Sequence, residues 1–181
     1  MNSKLKLLIT IILFVLVVGG GLFLYNKTSN IDFKFDNRNT GLSKKAMPET
    51  IIYTENDEEL NLSSLKGKPI VINFWTTWCT YCRQEMQTLE KVYNEYKDKV
   101  EFVLIDVLDS SEETKENGIK LKEEQGLTMP IYFDRNHIAI SKFGAPGFPT
   151  TYFIDKDGNI NKIRASMLTE EFLVQNIEEI L

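Results

Sequence analysis

A chain of 181 residues and 20.9 kDa carries 21 basic against 26 acidic side chains, a formal net charge of −5. That charge is divided, since residues 1–47 hold seven Lys or Arg and two Asp, net +5, and the other 134 residues hold 14 basic and 24 acidic groups, net −10. So acidic a body has no footprint for nucleic acid, while 43% hydrophobic and 11% aromatic content excludes wholesale disorder and suffices for one packed domain.

From Leu7 to Asn26 run twenty uncharged residues behind Lys4 and Lys6. At 1.5 Å per residue a helix of that length covers roughly 30 Å, enough to cross a bilayer. Gly19 and Gly21 offer a weak small-x-small cleavage site, but Leu22, Phe23 and Leu24 carry the apolar run past it, so residues 1–26 are expected to be an uncleaved, single-pass anchor. Counting Lys4, Lys6 and the amino terminus against Lys27, Lys34, Arg38 and Lys44 does not favour an inside amino terminus, whereas the signal-anchor pattern does. Residues 27–47 are polar and of mixed charge, and are expected to tether the domain off the membrane.

From 48 to 181 the pattern alternates strands and helices, the mark of an α/β sheet. Short strands near Ile51–Thr54 and Glu59–Leu62 flank the turn Asn56-Asp57 as a leading hairpin. Ile70–Trp75, continuous and β-branched, predicts a buried central strand. Cys82, Met86, Leu89, Tyr93 and Tyr96 recur at helical spacing, with Arg83, Glu90, Lys91 and Glu95 off the stripe. Val100–Val107 is the next strand. Ser110 with Glu113 forms a capping-box pattern, opening a strongly charged helix to about Gln125 that Gly118 weakens. Ile131–Phe133 and Thr150–Ile154 are further strands, the latter turning through Asp155-Lys156-Asp157-Gly158 into Ile160–Arg164. The last helix starts with Thr169 as N-cap and Leu168 and Leu173 as a hydrophobic staple, and buries Phe172, Ile177 and Ile180.

The chain has two cysteines, Cys79 and Cys82, at the head of the first long helix. There the free N–H groups and positive dipole end favour a thiolate at Cys79, and Cys82 lies within a turn, on the buried face. An exposed Cys79 of low pKa attacks a partner disulfide and Cys82 resolves the mixed disulfide, which is reversible dithiol exchange. A zinc site needs two more ligands, and the sole histidine, His137, lies fifty-five residues on. Covalent haem needs His at position 83, which is Arg.

The segment Asn73-Phe74-Trp75-Thr76-Thr77-Trp78-Cys79-Thr80-Tyr81-Cys82-Arg83-Gln84-Glu85-Met86 resembles the active-site segment of the thioredoxin superfamily, above all its membrane-tethered TlpA/ResA-like branch. The resemblance runs from about Pro48 to the end and takes in Gly147-Phe148-Pro149-Thr150-Thr151. It implies a thioredoxin-like α/β fold, a central mixed sheet flanked by helices with an extra amino-terminal hairpin. It also implies an extracytoplasmic, monomeric bacterial enzyme that exchanges electrons with protein disulfides, often as a reductant of apocytochrome c or other envelope proteins. Electrons come from a membrane thiol transporter of the CcdA/DsbD type, and no cofactor is needed beyond the Cys79–Cys82 disulfide.

By the same resemblance Pro149 is the cis-proline beside the disulfide, with Trp78 and Phe148 as substrate contacts. Asp109 stands where ResA-like proteins place a proton-handling glutamate, and should have a raised pKa if it lies desolvated near the sulfurs. Glu85 matches the family's acid after the second cysteine, though an acid in a helix's first turns also complements the dipole. Three departures stand out. Thr80-Tyr81 replaces the usual x-Pro pair between the cysteines, Gln87 replaces a common proline, and Asn73 stands where cytosolic thioredoxins bury an acid. Weighed against a reductant are a disulfide-forming oxidant, a non-catalytic binding module and a thiol peroxidase. The peroxidase reading rests on Thr76-x-x-Cys79 and lacks the proline four residues upstream, where Ile72 stands.

Overall fold

The computed structural model describes residues 45–109 and 111–181, so the expected anchor over 1–26 and nearly all of the tether lie outside the described residues. Its strands are β1 (Ile51–Tyr53), β2 (Glu59–Asn61), β3 (Ile70–Trp75), β4 (Glu101–Val107), β5 (Ile131–Asp134), β6 (Thr150–Ile154) and β7 (Ile160–Arg164). Its α-helices are α1 (Thr80–Tyr96), α2 (Lys115–Glu124), α3 (Ile138–Phe143) and α4 (Glu170–Glu178). The strands form one mixed sheet in the order β2-β1-β5-β4-β3-β6-β7. β3 pairs in parallel with β4 and antiparallel with β6, and all six of its residues are buried, as a continuous apolar run requires of a central strand.

The two-residue period of β3 divides the core. Ile70, Ile72 and Phe74 face one layer with Val103, Ile105, Tyr152 and Phe143 of α3; Val71 and Trp75 face the other, with Met86 and Leu89 of α1 and Leu173 and Ile177 of α4. Asn73, between Val71 and Trp75 on the second face, is carried into the layer under α1 with no exposed surface. The leading hairpin extends the sheet by pairing Tyr53 with Phe133, and its turn is tied down by charge. Asp57 pairs with Lys115 at 2.7 Å and with Arg135, whose guanidinium lies over Tyr53, and Glu55 pairs with Lys122.

Several elements match the sequence reading. Thr169 caps α4 by accepting from the Phe172 N–H, and Leu168 and Leu173 are both buried. The turn into β7 is closed by Asp155, whose side chain accepts from the Asp157 and Asn159 N–H groups, and by Gly158 at φ 85°.

Other elements depart from it. Val92, not Tyr93, takes the buried place on α1, and Phe172 is only partly buried, with Asn176 buried in its helix. The second helix begins later than the Ser110–Glu113 pattern implies. Thr114 is its N-cap, accepting from the Asn117 N–H, and Glu113 is withdrawn into the protein. The reason lies one residue before the pattern, where Asp109 Oδ1 accepts from the N–H groups of Ser111, Glu112 and Glu113 and closes a tight loop instead of a helical turn. α3 was not foreseen; it is held by the buried Asp134, whose oxygens accept from the Ala139 and Ile140 N–H groups, and it ends at Gly144 in the left-handed conformation.

Candidate active site

β3, β4 and β5 are parallel neighbours, so the loops leaving their carboxyl ends gather along one margin of the sheet, where open α/β sheets place their chemistry. The loop after β3 delivers Cys79 as the N-cap of α1, its sulfur accepting from the Cys82 N–H at 3.1 Å. The two cysteines are joined as a disulfide with Cα atoms 5.2 Å apart. Cys79 is less exposed than the sequence led us to expect, at 6%, yet it is the more accessible sulfur, since Cys82 has no exposed surface. Cys79 belongs to the core cluster, with Phe148 packed against it, and exposed aromatic side chains flank it in sequence. Trp78 is 56% exposed and packs edge-to-face on Phe148 at 5.7 Å, and Tyr81 is 63% exposed. Phe148 leads directly into Pro149, whose peptide bond is cis, as the resemblance implied. Phe148 packs against the core cluster that holds both cysteines, so the aromatic pair and the cis-proline that follows it belong to the cysteine side of the sheet.

Beneath it lies Glu85, one helical turn past Cys82. On an isolated helix an acid here would complement the dipole from solvent; instead its carboxyl is 1% exposed. Oε1 accepts from Asn73 Nδ2 at 2.8 Å and Oε2 from the Leu168 N–H at 2.7 Å. Asn73 Nδ2 also donates to Thr151 Oγ1, so Asn73 links Glu85 to the strand that follows the cis-proline. Burial pushes Glu85 up to about 7 against the pull of its two donors. The buried carboxyl is thus placed one helical turn from Cys82 and bonded to Asn73 on the central strand.

Asp109 meets none of the conditions for a raised pKa. Its carboxylate is committed to the three loop N–H groups, with those to Glu113, Ser111 and Glu112 holding it down to about 2. It lines an open groove of about 730 Å³ shared with Asp57, Lys115, Arg135 and His137, and neither cysteine lines that groove. Two acids that the sequence did not assign to the site adjoin the active-site loop. Glu113 Oε2 accepts from the Thr77 N–H at 2.8 Å and the Thr77 hydroxyl at 2.7 Å. Asp106, paired in register with Trp75, is wholly buried beside Glu113 and pushed up to about 9, first by burial and then by Glu113. For Asp106 the signal in the sequence was an acid following the apolar run Phe102–Ile105 within its strand, and for Glu113 it was only a capping-box position.

A family model described as AhpC/TSA matches residues 43–163. The chain belongs to that family. Within this thioredoxin-like group it is 34% identical over 134 residues to a thiol-disulfide oxidoreductase ResA of Geobacillus thermodenitrificans, covering 74% of this chain and 75% of the relative. A ResA of Bacillus cereus is 30% identical over 180 residues, 98% of each chain. The fold also matches StoA of Bacillus subtilis with a TM-score of 0.62, over 72% of this chain and 96% of that one, at 22% identity. This AhpC/TSA protein is a ResA-like thiol-disulfide oxidoreductase that carries a Cys79–Cys82 disulfide. Among the described residues no group of three or more His, Cys, Asp or Glu side chains is placed to hold a metal ion.

Proposed function

We propose that the protein is a membrane-anchored, extracytoplasmic reductant of protein disulfides. The observation that carries the direction is Glu85. A buried carboxyl that loses its proton near neutral pH adds negative charge next to Cys82 and opposes thiolate formation. Strong oxidants of this fold do the opposite, stabilising their reduced, thiolate form. Disfavouring the reduced form makes the pair a better electron donor.

In the reductive half-cycle the Cys79 thiolate attacks one sulfur of the substrate disulfide. The substrate S–S bond breaks, a Cys79–substrate disulfide forms, and the departing thiolate takes a proton from water. Cys82 then gives its proton to the Glu85 carboxylate, directly or through water, and attacks Cys79. The Cys79–Cys82 disulfide forms and the second substrate thiolate leaves, so two electrons have passed to the substrate. Trp78, Phe148 and Pro149 seat the partner chain over Cys79. Asp109 takes no proton in this scheme; it shapes the loop after β4. Re-reduction falls to a membrane dithiol donor of the CcdA/DsbD type, as the ResA resemblance implies, and the uncharged run Leu7–Asn26 would hold the protein beside it.

Equilibration of the pair with glutathione tests the direction. A potential well below the roughly −180 mV of protein disulfide isomerase supports a reductant, and one near the roughly −120 mV of DsbA would make the protein an oxidant. Trapping with Cys82→Ser in cells identifies the partners, and protease treatment of intact spheroplasts tests the orientation, since a fully protected domain would place it in the cytoplasm.

A further inference from the structure

We propose that Asp106 and Glu113 act as one carboxyl pair sharing a single proton, and that this pair holds Thr77 and so positions the Trp78–Cys79 segment for attack. Both side chains are without exposed surface. Neither oxygen of Asp106, nor Oε1 of Glu113, has a hydrogen-bond partner when both groups are taken as acceptors. Three buried acceptors with no donor is an arrangement proteins avoid. One proton provides for two of the three and leaves a neutral carbonyl oxygen on Asp106 as the third, which costs less to bury than a charged one. With Asp106 protonated, its hydroxyl donates to Glu113 Oε1, one of the two charges disappears, and Glu113 Oε2 remains free to receive both Thr77 donors.

The surroundings enforce this state. On α2 the carboxyl of Asp106 abuts Gly118, where a Cβ would lie 2.2 Å from Oδ2, and on β5 the ring of Phe133 lies beside the same glycine. The charged groups facing Asp106 are Glu113 and Asp109, both negative, so burial and repulsion act in the same direction. Lys115, two residues past Glu113, is paired with Asp57. The clamp reaches the reactive sulfur through the backbone. Thr77 is gripped at its N–H and its hydroxyl, and the next turn closes as the Cys79 N–H donates to the Thr76 carbonyl at 3.3 Å. Asp106 and Glu113 are therefore positioning residues, acting on Cys79 through Thr77, and the argument rests on Cys79 as the attacking sulfur.

The test uses the full-length protein. In the oxidised form, carboxyl ¹³C shifts should show one aspartate titrating near pH 9, missing in Asp106→Asn. It should move to lower pH in Glu113→Gln, whose amide supplies the donor that the shared proton had supplied. In the reduced form, Asp106→Asn keeps a donor to Glu113 and should reduce insulin disulfides within about twofold of the wild-type rate, whereas Asp106→Leu should be about tenfold slower, the scale of one charge-assisted hydrogen bond lost. If Asp106→Leu does not fold, Thr77→Val, which deletes one of the two bonds to Glu113, takes its place and should also be slower. An aspartate profile wholly in the ordinary carboxylate range would overturn the pair, and a folded Asp106→Leu or Thr77→Val at the wild-type rate would overturn the positioning role. Preferential alkylation of Cys82 would instead overturn the assignment of the attacking sulfur, with the carboxyl titration unaffected.

Discussion

Replacing Glu85 by Gln should change how stability depends on pH more than it changes stability itself. A carboxyl whose pKa rises on folding binds more protons in the native than in the unfolded state between the two values, so rising pH destabilises the fold across that window. For Glu85 the window runs from 4.5 to about 7. At 1.36 kcal/mol per pH unit the loss comes to about 3 kcal/mol, complete a little above pH 7 and absent below about pH 4. Gln is nearly isosteric, accepts from the Leu168 N–H as the carboxylate does, and does not titrate. The assay is denaturant unfolding of wild type and Glu85→Gln in the oxidised state, where the thiols contribute no titration, at intervals from pH 4 to pH 8.5. Asp106 titrates in both proteins and cancels, so the difference curve belongs to Glu85. The variant should gain on the wild type by about 3 kcal/mol across the window. Parallel curves would refute the reasoning, because they would mean that the carboxyl is solvated in the native state and that proton transfer from Cys82 needs another acceptor.

Three further outcomes follow from the site and its supports. Iodoacetamide should modify Cys79 before Cys82 in the reduced protein near neutral pH, which peptide mapping reads directly; the reverse order would exchange their roles. Trp78→Ala removes a side chain that is 56% exposed and packs on Phe148, so KM for a protein disulfide should rise severalfold while the unfolding midpoint stays put. Gly118→Ala drives a methyl into Asp106 Oδ2, and should cost about 1–3 kcal/mol in unfolding free energy as overpacking does, with slower disulfide reduction as Thr77 loses its grip.

The parts of the site that the sequence displayed are those whose causes are local. Cys-x-x-Cys after an apolar β-branched run needs only the strand, one turn and a helix start, and Thr169 caps a helix through a residue three positions on. Glu85 was legible as a family position but not as a buried group, because its burial depends on the Leu168 N–H, 83 residues away. Glu113 looked like the closing acid of a capping box, three residues after Ser110. Its partner is Thr77, 36 residues earlier, and Asp109 had already taken the local N–H groups that a cap would need. Asp109 shows the converse error, since matching position to a family's glutamate says nothing about whether a shorter side chain will fold back on its own loop. The short α3 escaped notice because Asn136 and His137, both left-handed, interrupt the chain just before it.

The margins of the sheet bear on the company the protein would keep. An enzyme that handles incompletely folded polypeptides meets many unpaired strands, and a sheet with a long bare flank invites them to add on. Here one outer strand, β2, is three residues long. The other, β7, has its first N–H, that of Ile160, taken by the Lys45 carbonyl, and it carries Lys162 and Arg164 on exposed positions. The leading hairpin covers β5, whose antiparallel pairing with β1 closes what would otherwise be an open edge of the parallel strands. With both margins blunted, an extended chain finds no long free edge to pair with, and the co-aggregation that such pairing starts is disfavoured.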